Sequence, residues 1–144
     1  MVREYTTQSA EDTVALGQEL SAQLRDLRVV LLRGDLGAGK TTLIKGIAEG
    51  FSAAERDDVT SPTFTLVHEY HGPDRTLFHI DLYRIETDRE LATLGLEDTM
   101  LEPGNILLIE WGDKFPRFVR DSDAEIVITR MGDTQRKIQF STRQ

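Results

Sequence analysis

Three consecutive pieces limit the fold most. The aliphatic run Val29, Val30, Leu31, Leu32 leads into the loop GDLGAGKTT from Gly34 to Thr42, and helical spacing at Leu43, Ile44, Ile47 and Ala48 then stops near Gly50. A short β-branched and aliphatic run bounded by Arg28 and Arg33 reads as a buried parallel strand. Gly34, Asp35, Leu36, Gly37, Ala38, Gly39, Lys40 and Thr41 fill every position of the pattern glycine, four residues, glycine, lysine, then serine or threonine. Glycines let successive backbone N–H groups curl around phosphate oxygens at the positive end of the following helix. Lys40 is then placed to reach the β and γ phosphates and the Thr41 hydroxyl to ligate magnesium. The segment Gly34 to Thr42 is therefore expected to bind ATP with Mg2+, and the strand and helix flanking it are the context this pattern needs.

The remaining chain reads as alternating elements. Ser9 is the expected cap of a helix carrying Val14, Leu16, Leu20 and Leu24, with Glu11 and Asp12 in its first turn. Residues 52–62 are polar, and Pro62 disfavours helix at Ser61. Two extended segments follow, Phe64 to Tyr70 and Thr76 to Tyr83, joined by turn residues His71, Gly72, Pro73 and Asp74 into a hairpin on one flank of the sheet. A helix is expected from about Asp88 to Leu94, ending near Gly95. Ile106, Leu107, Leu108 and Ile109 are apolar on both faces, as a central strand covered by helices requires. Ala124 to Thr129 and Lys137 to Phe140 suggest a terminal hairpin of two edge strands. The fold class is α/β, a P-loop NTPase-like three-layer sandwich: a mixed, mostly parallel sheet with helices on both faces and antiparallel edge strands.

At 144 residues the chain is expected to form one domain with one main site. No apolar run approaches the roughly 20 residues needed to cross a bilayer, and Met1 to Ala10 lack the basic start and apolar stretch of a secretory signal. With no cysteine, thiolate metal sites are excluded and the cytoplasm is the expected compartment. A net charge of −8 repels nucleic-acid backbones, so any RNA is expected to be held by a partner.

A magnesium nucleotide site normally adds a carboxylate at the carboxyl end of a strand. Glu110 and Asp81 are the candidates. Glu110 follows the more completely apolar strand and is preferred for magnesium or for orienting the attacking water; Asp81 shares a strand face with Leu77 and His79. Trp111 suits packing better than a direct nucleotide role. His68 and His71, three apart, do not match the zinc pattern of two helical histidines four apart. Ser61, Pro62 and Thr63 occupy a loop where a γ-phosphate sensor and a plain capped turn fit equally. The stretch from Thr7 to Ser9 is a candidate adenine lining.

With these residues in hand, the chain resembles the TsaE (YjeE) family, the ATPase component of bacterial tRNA threonylcarbamoyladenosine biosynthesis. Four ordered blocks carry the resemblance: GDLGAGKTT at Gly34 to Thr42, SPTFT at Ser61 to Thr65, HIDLYR at His79 to Arg84, and IEW at Ile109 to Trp111. Gly112, Asp113 and Lys114 depart from the proline often found after the last block. The resemblance implies that Lys40 and Thr41 bind phosphates and magnesium, that Ser61, Pro62 and Thr63 act as a switch, and that Asp81 and Glu110 serve magnesium and hydrolysis. It also raises the standing of Trp111, and it implies a weak ATPase that acts with TsaB and TsaD and meets tRNA through them.

Two rivals share the phosphate loop. A small-molecule kinase would need an arginine-bearing lid, and Arg84, Arg89, Arg117 and Arg120 are scattered. A nucleotide-gated binding module would dock a partner without needing turnover.

Overall fold

The computed structural model describes residues 1–35, 38–53 and 67–143. Among these, seven strands form one sheet in the order β1-β7-β6-β2-β5-β4-β3, with β1 Val2–Thr7, β2 Val29–Arg33, β3 Val67–His71, β4 Thr76–Asp81, β5 Asn105–Glu110, β6 Ala124–Arg130 and β7 Arg136–Thr142. The four central strands β6, β2, β5 and β4 are mutually parallel, and antiparallel pairings finish both flanks, β3 on β4 and β7 between β6 and β1. The mixed α/β sheet of the sequence reading is therefore the architecture found.

Strand alternation sorts the core into two layers. On one face Val30, Leu32, Leu77, Ile106, Leu108, Ile126, Ile138 and Phe140 pack under α1 (Ala10–Leu24) and α2 (Lys40–Gly50). On the other, Val29, Leu31, Phe78, Ile80, Leu107 and Ile109 pack under Leu91 of α3 (Asp88–Ala92), Leu96 of α4 (Leu96–Leu101) and Phe118 of α5 (Pro116–Asp121). Helices thus lie on both faces, but the second layer covers only β2, β5 and β4. Beyond it the same face of β6 and β7 carries Glu125, Gln139 and Ser141, which stay partly exposed. Among the described residues no helix is long and apolar enough to cross a membrane.

Two expectations change, and one strand is added to those expected. The terminal pair is not an edge: β6 lies inside the sheet against β2, and β7 is covered by β1, which is the true edge. β1 gave no periodic signal because five of its six residues stay wholly or partly in solvent and only Thr7 is buried. The helix expected from Asp88 to Leu94 closes at Ala92, and Gly95, at φ 64°, turns the chain into α4, a second short helix. The hairpin stands, with β3 beginning at Val67; the residues before it lie outside the described ones.

The cap at Ser9 is also found, its Oγ accepting from the Asp12 N–H at 3.1 Å. α1 and α2 make the closest helix contact, through glycines. A Cβ on Gly46 would stand 2.0 Å from the Val14 carbonyl oxygen, and one on Gly17 2.4 Å from that of Leu43. Gly46→Ala should gain about 1 kcal/mol of helix propensity yet lose more to overpacking, which typically costs about 1–3 kcal/mol. Against a rigid backbone oxygen the clash wins. Urea denaturation should show net destabilisation, and an unchanged or raised midpoint would contradict the packing described.

Candidate functional site

The site is built where β2 ends and α2 begins. Gly34 follows the strand, and a Cβ there would meet Ile128 Cγ2 at 2.6 Å and Ile128 O at 2.8 Å, so β6 forms a floor that admits only glycine. Gly39, the residue before α2, has φ 103°, which favours glycine and turns the chain into the helix. The helix therefore starts at Lys40 with its first N–H groups directed back at the loop. Leu36 and Gly37 lie outside the described residues. Asp35 accepts from Ala38 N at 3.0 Å, and Thr41 and Thr42 occupy the first turn of α2, each partly buried.

Lys40 folds inward. Its Nζ donates to Gly34 O at 2.6 Å and sits 3.1 Å from Glu110 Oε1. Both side chains are nearly buried, at 9% and 6% exposure, so this is an interior ion pair between the loop and the end of β5. Glu110 reaches it because β5 is β2's parallel neighbour with Leu32 opposite Glu110 in register. Its other oxygen, Oε2, lies 2.5 Å from Nε2 of His79, which is wholly buried on β4. Burial pushes the Glu110 carboxyl up, but the hydrogen bond from His79 and the charge and hydrogen bond of Lys40 together outweigh it and hold it below the usual range.

Asp81 sits opposite Glu110 in register, on the same face at the end of β4, and its Oδ1 accepts from Tyr83 N at 2.9 Å. Both carboxylates read from the sequence thus gather at one end of the sheet. Trp111 belongs to the site as well as to the packing. Its ring stands 5.6 Å from Lys40 Nζ and 5.1 Å from the Tyr83 ring, and it lines a cleft of about 150 Å³ with Gly34, Asp35 and Lys40. It holds φ 63°, an uncommon conformation for a bulky residue that tends to persist where surrounding structure fixes it. The 3-10 turn Gly112–Lys114 supplies that support, with Lys114 Nζ donating to Leu82 O and Tyr83 O.

A second cleft, about 130 Å³, meets the loop at Gly39 and Thr42 and is walled by Ala10, Thr13, Asp133 and Arg136. Ala10 and Thr13 line it rather than Ser9, whose hydroxyl is engaged in the α1 cap. Ser61, Pro62 and Thr63 lie outside the described residues. Arg117 pairs with Glu97 and Arg120 with Asp121, an arrangement on α5 away from the phosphate loop.

Two residues of the site escaped the sequence reading. Arg136 donates from Nε to Ala38 O at 2.8 Å, bracing the loop from a position 98 residues away with no local signal. His79 had one usable signal, since strand alternation puts it on the face of Asp81, two residues from the strand end.

The residues present fit a magnesium nucleotide. The loop has the glycines its close approaches demand, a lysine and a hydroxyl stand at the helix start, and a buried carboxylate faces them. A carboxyl held below its unfolded value binds fewer protons in the native state, so it adds stability above about pH 4.3 that fades as pH falls further. Glu110→Gln should therefore flatten the acid side of the stability curve, measured by urea denaturation from about pH 6 to 3. Acid limbs of equal slope in both proteins would show that Glu110 is not so held.

The model of the family "Threonylcarbamoyl adenosine biosynthesis protein TsaE" matches residues 7–138. The tRNA threonylcarbamoyladenosine biosynthesis protein TsaE of Bacillus subtilis is 38% identical over 137 residues, covering 95% of this chain and 84% of the relative. The protein of the same description from Treponema pallidum is 35% identical over 132 residues, covering 92% and 95%. Among solved structures, Bacillus subtilis YdiB superposes with a TM-score of 0.76 at 32% identity, covering 99% of this chain and 86% of that one.

Proposed function

The chain belongs to the TsaE family, and from that membership we propose that it binds ATP with magnesium and hydrolyses it to support threonylcarbamoyladenosine formation on tRNA, acting with TsaB and TsaD in the cytoplasm. One observation supports this reading above the others. Lys40, at the start of the phosphate-loop helix, stands 3.1 Å from a buried carboxylate at the end of the neighbouring strand.

In this reading the backbone from Gly34 to Thr42 cradles the phosphates, and Lys40 leaves Gly34 O and Glu110 to contact the β and γ oxygens. Thr41 and Glu110 would hold magnesium, which when bound offsets phosphate charge. Glu110, once released by Lys40, has an oxygen available toward the phosphates, while Asp81 beside it is the second carboxylate serving hydrolysis. Trp111, with the Tyr83 ring against it, lines the cleft above Lys40 and would limit water there. Ser61, Pro62 and Thr63 serve as the switch that reports the nucleotide state to the partner complex and resets it between rounds. The chain's charge of −8 leaves tRNA to the partners.

A binding module without essential turnover uses the same contacts, because exchanging the Lys40–Glu110 pair for phosphate contacts already distinguishes two states. Partner-dependent tRNA modification with a non-hydrolysable ATP analogue separates the two, since only the module sustains repeated rounds.

The direct test is magnesium-dependent ATP hydrolysis by the purified chain, alone and with TsaB and TsaD. Slow hydrolysis alone that rises with the partners and disappears in Lys40→Ala is expected. Rapid partner-independent hydrolysis, or a Lys40→Ala protein as active as the parent, would contradict the assignment.

A further inference from the structure

β4 buries a histidine between apolar residues of its own strand. His79 is fully inaccessible, between Phe78 and Ile80 in sequence and opposite Leu108 in register. Burying an imidazole in such a wall is unfavourable unless its polar atoms are satisfied. One of them is, by the 2.5 Å contact from Nε2 to Glu110 Oε2; the other, Nδ1, has no hydrogen-bond partner among the described residues. The ring is held from the far side by His68 on β3, the residue opposite it in register, edge to face at 6.4 Å between centroids.

This pattern defines the ring's chemistry. A doubly protonated ring would bury a second N–H donor at Nδ1 with no acceptor, whereas the neutral ring protonated at Nε2 leaves only an unused lone pair. Nε2 is then the donor, and Glu110 Oε2 the acceptor. With Oε2 occupied, the carboxylate cannot rotate about its last bond without breaking this contact, so Oε1 stays directed at Lys40 and the phosphate loop.

We infer that His79 is a positioning residue for nucleotide turnover, a neutral Nε2–H donor that fixes the Glu110 carboxylate with Oε1 facing the loop. This rests on the proposed role of Glu110 in hydrolysis. His79 acts through Glu110 and contacts neither nucleotide nor metal, so its removal leaves nucleotide binding largely intact and lowers the chemical step. Loss of such a supporting contact typically costs about 10- to 100-fold in activity.

Side-chain geometry provides the test. Glutamine carries its amide nitrogen the same number of bonds from Cα as Nε2, whereas that of asparagine falls at the position of Nδ1. His79→Gln should therefore retain most of the parent kcat, while His79→Asn and His79→Ala should lose about 10- to 100-fold in kcat with the ATP dissociation constant little changed. Thermal melts identify any variant that fails to fold. Independently of activity, long-range 15N–1H correlation spectra of the nucleotide-free parent should show His79 protonated at Nε2 and not at Nδ1, with the Nε2 signal shifting in Glu110→Gln.

A folded His79→Asn protein with parental kcat, a folded His79→Gln protein as impaired as His79→Ala, or an Nδ1-protonated ring would each overturn the inference. If neither Asn nor Ala folds, the Gln variant and the spectra decide it. If the parent shows no Lys40-dependent hydrolysis, the proposed function fails and with it the role in turnover, while the spectra still report whether His79 fixes Glu110.

Discussion

A buried ammonium and a buried carboxylate 3.1 Å apart tie the phosphate loop to the middle of the sheet. Neither charge would be tolerated alone at that depth, since leaving one member of a buried pair uncompensated typically costs about 3–5 kcal/mol. The pair therefore constrains its surroundings. α2 must begin at Lys40, β5 must run beside β2 in a register that brings Glu110 opposite Leu32, and β4 must follow so that His79 reaches the second carboxylate oxygen. Arg136, from the far flank, holds Ala38 O and fixes the loop from below.

The same arrangement has a functional consequence. A phosphate group offers Lys40 a more highly charged partner than a single carboxylate, so occupancy of the loop would exchange one ion pair for another and release Glu110. A conformational signal then needs no large motion at the site. In the proposed function it would begin as a change of partner for one side chain and would reach Trp111, which follows β5, and through it the Tyr83 ring and the Gly112–Lys114 turn.

Legibility in the sequence followed the range of the interactions. β2, the glycine loop and α2 were readable because their determinants are contiguous, and Glu110 because an apolar run on both faces ends at it. Ser9 declared itself by position, just ahead of Glu11 and Asp12. β1 was hidden because an exposed edge needs no apolar alternation, and the inner placement of β6 and β7 because strand order is set by pairing across more than 90 residues. His79 and Arg136 became visible only through register and packing, one on the neighbouring strand and one near the other end of the chain. Ser61 to Thr63 lie outside the described residues.

The exchange of partners at Lys40 is the centre of this description, and a crystal structure of the chain with magnesium and a non-hydrolysable ATP analogue observes it directly. The expected result is Lys40 Nζ on the β and γ phosphate oxygens and no longer in contact with Gly34 O, with Glu110 still hydrogen-bonded to His79 and its other oxygen turned to the metal or its water. A nucleotide bound elsewhere, or one bound at the loop while Lys40 remains on Glu110 and Gly34 O, would contradict it.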